Sequence, residues 1–496
     1  MDNVKRALRG ARRRGTAAAL GGLLVLSAAG CAVGPKYRPP DVPGPPQFKE
    51  RPPATGGDSG APAIAYADWW RVFNDPALDD LERQAVTANL DIRVAVARVD
   101  QAAAGARYAG SFLFPTVSLG AAASGNREAQ NRPNTNGRAA AYNDFQLPLI
   151  LSYEVDAWGR VRRSLESAHA VEQATEADLR FVQLSIQTGL AVDYYSLRQN
   201  DAEQQVLQQT LEELQRAVDL TTQRFRGGVT SELEVKQAQG LLDQTRAQAQ
   251  ALDIQRAELE HAIAVLIGRA ASEFALPRAP FDGAPPEVPA GIPADLLVRR
   301  PDIAEADRFA ASAAAAVGVA KAAYLPQISL TGLAGFESTA ASSLFTWANA
   351  IASLGASALT PVFNRGRVRA GVDEAAAAYR QSLAQYQKTV LVAYQEVEDQ
   401  LAGLRFLQGE GASETAAIDA ARQALQIALD RYQGGLVSYL DVVFAQTALL
   451  ANQRVSAQIS GQRMTATVML IKALGGGWLQ VPSGSTRIPS MSQGPS

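Results

Sequence analysis

The chain has 496 residues, 47 Lys and Arg against 49 Asp and Glu, and a formal net charge of −2. So even a balance argues against nucleic acid as a partner, and one cysteine with two histidines excludes an internal disulfide or a Cys/His zinc cluster. Apolar residues make up 47% but aromatics only 7%, an alanine-rich composition that suits long, closely packed helices better than a thick globular core.

The first element is a leader. Lys5, Arg6, Arg9, Arg12, Arg13 and Arg14 precede an apolar run from Ala17 to Ala29. In a helix that run spans about 20 Å, short of a ~30 Å hydrocarbon core, so residues 1–30 read as a secretory signal peptide. Ala28-Ala29-Gly30-Cys31 resembles the bacterial lipobox, whose cysteine becomes the lipid-bearing first residue of the mature chain; Ala28 stands where leucine is usual. The other reading is an ordinary leader with an incidental cysteine. Residues 31–68 follow, rich in proline (Pro35, Pro39, Pro40, Pro43, Pro45, Pro46, Pro52, Pro53) and without helical or strand period, as in an extended lipid-anchored tether. Gly57-Asp58-Ser59-Gly60 looks like a serine-nucleophile motif but has no histidine near it and lies in linker.

Beyond the tether the chain repeats itself. Residues Arg224 to Val235 align without gaps on Arg431 to Val442, an offset of 207 that also carries Gly159-Arg160-Val161-Arg162 onto Gly366-Arg367-Val368-Arg369. Asp91-Ile92 matches Asp302-Ile303, and Pro115 to Leu119 matches Pro326 to Leu330, both at 211. The body is therefore a tandem duplication, 69–281 and 282–478, with a flexible tail at 479–496. Each half predicts a helix, two strands (about 112–156 and about 325–363), and a long helical hairpin (161–268 and 366–475).

The first helix of each half covers Asp79–Gly110 or Asp302–Tyr324. Strand residues Phe145, Leu147, Leu149, Leu151, Tyr153 and Val155 alternate with Asp144, Gln146, Ser152, Glu154 and Asp156, with Pro148 and Ile150 as exceptions. Thr116–Ser124, Ile328–Phe336 and Leu354–Val362 alternate too, joined by loops at Asn126–Gly137 and Glu337–Ala348. Alternating strands of about ten residues suit a transmembrane barrel; a soluble hairpin with one face on a core is the other reading. Four strands cannot close a barrel in lipid, because open edges leave backbone groups unpaired. A dimer would give a filled interior, so a trimer of twelve strands is the smallest conduit.

The long rods run from Val161 to Arg226 and through the second copy, with apolar residues at steps of three and four, about 100 Å in length. Gly409 and Gly411 predict a break in the second rod. Gly227-Gly228 and Gly434-Gly435 permit the reversal at each tip, and shorter helices return, Glu232–Gly268 and Ser438–Gly475.

These residues resemble the TolC-like outer-membrane efflux channels, specifically the NodT-type lipoprotein outer-membrane factors of resistance-nodulation-division (RND) pumps. The resemblance rests on Cys31 to Tyr37, Trp69-Trp70 with Phe73 and Asp75 to Leu78, Tyr153 to Asp156 with Trp158-Gly159-Arg160, Arg299 to Ile303, and both glycine tips. It implies an α+β membrane protein: a homotrimer with a twelve-stranded β-barrel, four strands from each chain, continuous with a long periplasmic α-helical barrel. It implies a cell-outer-membrane location, Ala32 after the lipidated Cys31 favouring that sorting. The implied partners are outer-membrane lipid, a periplasmic adaptor and an inner-membrane RND transporter, the adaptor meeting Gly227, Gly228, Val229, Gly434, Gly435 and Leu436. Where the family often has a second Asp and an Arg at the tip, this chain has Phe444 and Thr447. The candidate gate is thus Leu440, Asp441 and Phe444, closing by dewetting; Phe444 packed between helices, and Asp441 facing solvent, are the competing readings.

No catalytic constellation, phosphate loop or metal set is present in the pattern. His169 and His261 sit in helical stretches, and the carboxylates are spread along helix faces, so the chain reads as no enzyme, with no cofactor beyond a lipid on Cys31. The expected role is passive conduction of small toxic or amphiphilic compounds. A type I-like protein exporter and a lipid-anchored coiled-coil scaffold are the alternatives, and metal efflux is disfavoured by few Met, His and Cys.

Overall fold

Alternating side chains settle into a sheet only if the register keeps like with like across every strand. The computed structural model describes residues 32–50, 66–129, 141–279, 283–289 and 293–476. The leader, Cys31, the Gly57–Gly60 stretch, part of the Asn126–Gly137 loop and the tail lie outside the described residues. The described residues form β1 (Thr116–Leu119), β2 (Ala122–Arg127), β3 (Ala141–Val155), β4 (Gln327–Ser338) and β5 (Ala350–Leu359). The helices are α1 (Pro76–Ala88), α2 (Leu90–Ser111), α3 (Arg160–Arg226), α4 (Glu232–Leu266), α5 (Leu296–Arg299), α6 (Pro301–Ala322), α7 (Arg367–Gln433) and α8 (Tyr439–Ala473). Two compact units result: Met1–Asp41 with Ala97–Glu176 and Glu305–Gln387, and Val42–Val96 with Ala177–Ala304 and Lys388–Ser496. They cut across the duplication, each drawing on both halves.

The first unit holds one antiparallel sheet in the order β1-β3-β4-β5, with β2 also beside β3. β1 and β2 are one strand path: Leu119 faces Leu149 and Ala122 faces Gln146 in the same register. The ladder lapses between them opposite Pro148. The Gly120 N–H donates to the Pro148 carbonyl at 2.8 Å, but proline has no N–H to return the bond. Partners across the register share a face. One face therefore carries Val117, Leu119, Leu147, Leu149, Leu151, Tyr153, Val155, Ile328, Leu330, Phe336 and Leu354. The other carries Ser118, Gln146, Ser152, Glu154, Ser329, Thr331, Glu337, Ser353 and Ser357.

β3 passes into α3 through the Glu154-Val155-Asp156 motif. Asp156 caps the helix, accepting from the N–H groups of Val161 (2.9 Å) and Arg162 (3.0 Å), while Glu154 holds Arg160 bidentately at 2.7 and 2.6 Å. Gly159 takes φ +77°, and a β-carbon there would sit 2.7 Å from the Ala32 Cα. The start of the proline-rich segment is therefore seated, where composition alone predicts a free tether. Val33 donates to the Trp158 carbonyl at 3.1 Å, Arg163 donates to the Val33 carbonyl at 3.2 Å, and the Tyr37 hydroxyl donates to Asp307 at 2.5 Å. In the second unit the N–H groups of Lys49 and Glu50 donate to Glu398, Glu50 pairs with Arg405, and Phe48 is buried.

The second unit is helical. Its core gathers Trp69, Trp70, Leu78, Leu81, Leu190, Tyr194, Tyr195, Ile263, Val468 and Ile471. Asp75 caps α1 and accepts from the Tyr194 hydroxyl at 2.7 Å, which accounts for the Trp-Trp and Asp-Pro-Ala-Leu motifs. Two sequence expectations are corrected here. The helix predicted at Asp79–Gly110 breaks at Asn89, whose backbone is extended and whose side chain caps α2 through Asp91 and Ile92. Gly409 and Gly411 cause no break, because α7 runs unbroken over 67 residues; two glycines cost only about 2 kcal/mol in a helix held along its length.

The halves close on themselves in parallel fashion. The Asn89 amide donates to the Leu266 carbonyl at 2.8 Å, at the end of α4. At the matching place Arg300 donates to the Ala473 carbonyl at 2.9 Å, at the end of α8, while binding Asp302 and Glu396. This is the function of the Arg-Arg-Pro-Asp-Ile motif. The chain after α4 is fixed by buried Asp201, which accepts from Arg198 (3.0 Å) and Arg256 (2.8 Å), both of which also donate to carbonyls of that segment.

Glu82 on α1 is fully buried, and neither carboxylate oxygen meets a hydrogen-bond donor among the described residues. Burial, with Asp79 nearby, raises its pKa well above 4.5. The folded chain thus retains a proton that the unfolded chain releases, so this site loses stability as pH rises above 4.5. Glu82→Gln is expected to raise the thermal midpoint at pH 8 and to leave it unchanged near pH 4, as measured by circular dichroism melts.

Candidate functional site: the hairpin tips

A helix that must reverse needs a residue tolerant of positive φ and partners for its last carbonyls. Gly228 (φ +75°) and Gly435 (φ +72°) supply the first at the two tips. Both then make the same closure: Val229 donates to the Arg224 carbonyl and Gly228 to Phe225; Leu436 donates to Arg431 and Gly435 to Tyr432, all within 2.8–3.0 Å. Gly227, Val229, Gly434 and Leu436 stand exposed beside them.

Side chains at the tips differ more than their backbones. The Tyr432 hydroxyl donates to Glu234 at 2.7 Å, tying the second hairpin to the first. The Arg224 guanidinium lies 4.9 Å from the Tyr432 ring centre, and Tyr439 packs edge-on against the same ring. At the repeat-equivalent places stand Phe225, which has no hydroxyl, and Asp441, which accepts from the Ser438 hydroxyl at 3.1 Å on an exposed helix start. The latch therefore has no repeat-equivalent counterpart among the described residues. Sequence reasoning missed it, although the Phe225/Tyr432 difference inside an otherwise matching repeat was its visible signal.

Of the candidate gate residues, Leu440 and Phe444 lie one turn apart on α8 and both are exposed, Phe444 at 66%. Phe444 is not packed between helices of its own chain. Val442, between them in sequence, is buried with Tyr439 and Leu449. Among the described residues no group of three or more His, Cys, Asp or Glu could hold a metal ion, and no helix is long and apolar enough to cross a membrane.

Long hairpins with glycine tips, together with a two-faced antiparallel sheet, are the architecture of outer-membrane channels. The solved structure of the outer-membrane channel OprN matches with a TM-score of 0.84 and 32% identity, over 90% of this chain and 100% of that one. The chain belongs to the outer membrane efflux protein family, whose model matches residues 81–269 and 292–476. It is 34% identical to the pyoverdine export outer membrane protein OpmQ of Pseudomonas aeruginosa, over 84% of this chain and 89% of that protein. The probable efflux pump outer membrane protein TtgC of Pseudomonas putida is 31% identical, over 91% and 93%.

Burial and the Glu234 bond push the Tyr432 hydroxyl from 10.0 up to about 12. The proton stays on the folded chain where the unfolded chain would lose it, so the latch stabilises fully below pH 10 and fails as pH passes 12. A double-mutant cycle of Tyr432→Phe and Glu234→Ala is expected to give a coupling of about 1.5–3 kcal/mol at pH 7, the range for a hydrogen bond to a charged group, measured by denaturant unfolding.

Proposed function

We propose that three copies of this chain form the outer-membrane channel of a tripartite pump, passing small toxic or amphiphilic compounds outward without catalysing a reaction or holding a cofactor. The observation that carries this reading is the sheet register, which lines up one apolar face across every strand path and, among the described residues, leaves both sheet edges open. Open edges are not tolerated in hydrocarbon, and twelve strands from three chains close them while leaving a bore. The helical hairpins would form the periplasmic tunnel, with a lipid on Cys31 anchoring each chain. A periplasmic adaptor would meet the glycine tips, fed by an inner-membrane RND transporter. Exposed Leu440 and Phe444 would narrow the tunnel as an apolar gate, with the Tyr432–Glu234 bond restraining its opening.

The names of the relatives favour small molecules over a secreted protein as cargo: pyoverdine for OpmQ, efflux for TtgC. Deleting the gene is expected to sensitise cells to several unrelated small toxicants in a susceptibility panel. Unchanged sensitivities with loss of a secreted protein would make the chain an exporter instead. The barrel is tested separately by a membrane-impermeant maleimide on intact cells, which is expected to label Ile150→Cys and spare Leu149→Cys. The reverse pattern, or no labelling of either, would refute the membrane-spanning sheet.

A further inference from the structure

Pro148 and Ile150 break the polar alternation of β3, and the register shows that they are not isolated. Ile150 faces Leu333 on β4, while Pro148 faces Gly335, which in turn faces Ile351 on β5. A β-carbon at Gly335 would collide with the Leu147 carbonyl oxygen, so no side chain stands between Pro148 and Ile351 in that row. The four apolar residues thus form one island on a mostly polar face, with Ile150 42% exposed, while Tyr142 and Leu359 stand apart from it towards the strand ends. Polar rows bound it on both sides, Gln146 with Glu337 and Ser152 with Thr331. Charge on this face has one sign: Asp144, Glu154 and Glu337 lie on it, and no Lys or Arg of the described strands does. Glu154 is already paired with Arg160, which leaves Glu337 at the island's edge and Asp144 one row beyond, where it accepts from the Gln146 amide at 2.7 Å.

We infer that this island is a binding collar for apolar organic cations in transit, an inference that rests on the channel reading with the polar face lining the bore. Repeated in three chains, it gives a ring of apolar contacts between water-facing rows. An aliphatic or aromatic body would leave water there, and its positive charge would sit near Asp144 and Glu337. Polar solutes would meet no such surface, so the collar adds selectivity at the wall of the barrel.

The test uses the purified full-length protein in lipid nanodiscs with Thr331→Cys as a reporter beside the island. Tetraphenylphosphonium is expected to slow labelling of that thiol by a hydrophilic maleimide, and tetramethylammonium at equal concentration is not. Replacing Ile150 and Leu333 together by serine is expected to weaken the protection roughly tenfold, about 1.4 kcal/mol of lost apolar contact. Asp144→Asn with Glu337→Gln, which preserves shape, is expected to weaken it as well and serves if the serine variant does not assemble. Labelling without selective protection, or protection unchanged in these variants, overturns the inference. An unreactive Thr331→Cys overturns the channel reading instead.

Discussion

A backbone N–H or C=O facing hydrocarbon costs several kcal/mol, and among the described residues the sheet of this chain ends in two strand edges, along β1/β2 and along β5. Most of the molecule can be understood from that constraint. A single hairpin of two strands is marginal even in water, and each half of the duplication supplies only one. Joining β3 to β4 across the halves doubles the sheet but moves the edges without removing them. On the proposed reading only further copies of the chain remove them, so association becomes a condition of membrane insertion. The apolar face points the same way, because lipid satisfies it where water does not.

The duplication also shows how little sequence must be kept for geometry to be kept. Helix ends are gripped at matching places by Asn89 in one half and Arg300 in the other, an amide and a guanidinium reaching the carbonyls of Leu266 and Ala473. Arg300 additionally binds two carboxylates, so the second half ties in Glu396, for which the first half has no counterpart at Asn89. At the tips the divergence has the opposite effect on symmetry. Tyr432 and Glu234 meet, whereas their counterparts Phe225 and Asp441 cannot form the same bond. One repeat-to-repeat contact is therefore a hydrogen bond that its matching pair of residues cannot make.

What could be read from residues alone followed from period. The alternation from Phe145 to Val155 and the three- and four-residue steps of the rods fix strand and helix without tertiary knowledge, and paired glycines locate both tips. The misses have a common cause, in that each depends on a partner distant in sequence. Gly409 and Gly411 read locally as a break, but the helix around them is continuous, with the Ser413 and Thr415 hydroxyls donating to their carbonyls and Ile459 in contact with the Gly411 position. Asn89 is a good cap residue inside an apparently continuous helical pattern; its role is evident only once Leu266 is seen beside it. Pro148 and Ile150 were visible as exceptions, yet nothing local places Leu333 and Ile351 next to them.

The proline-rich segment extends the same lesson to the anchor. Composition describes it as slack, but its first described residues are fitted: Gly159 has no room for a side chain because Ala32 is there, and Gly34 and Gly318 approach so closely that a β-carbon on either would collide. Ala32 is thereby fixed beside Trp158, at the point where β3 ends and α3 begins. Gly34, Gly159 and Gly318 are thus glycine for one shared reason: residues 32–34 lie so close to the turn into α3 and to α6 that no side chain fits at any of the three.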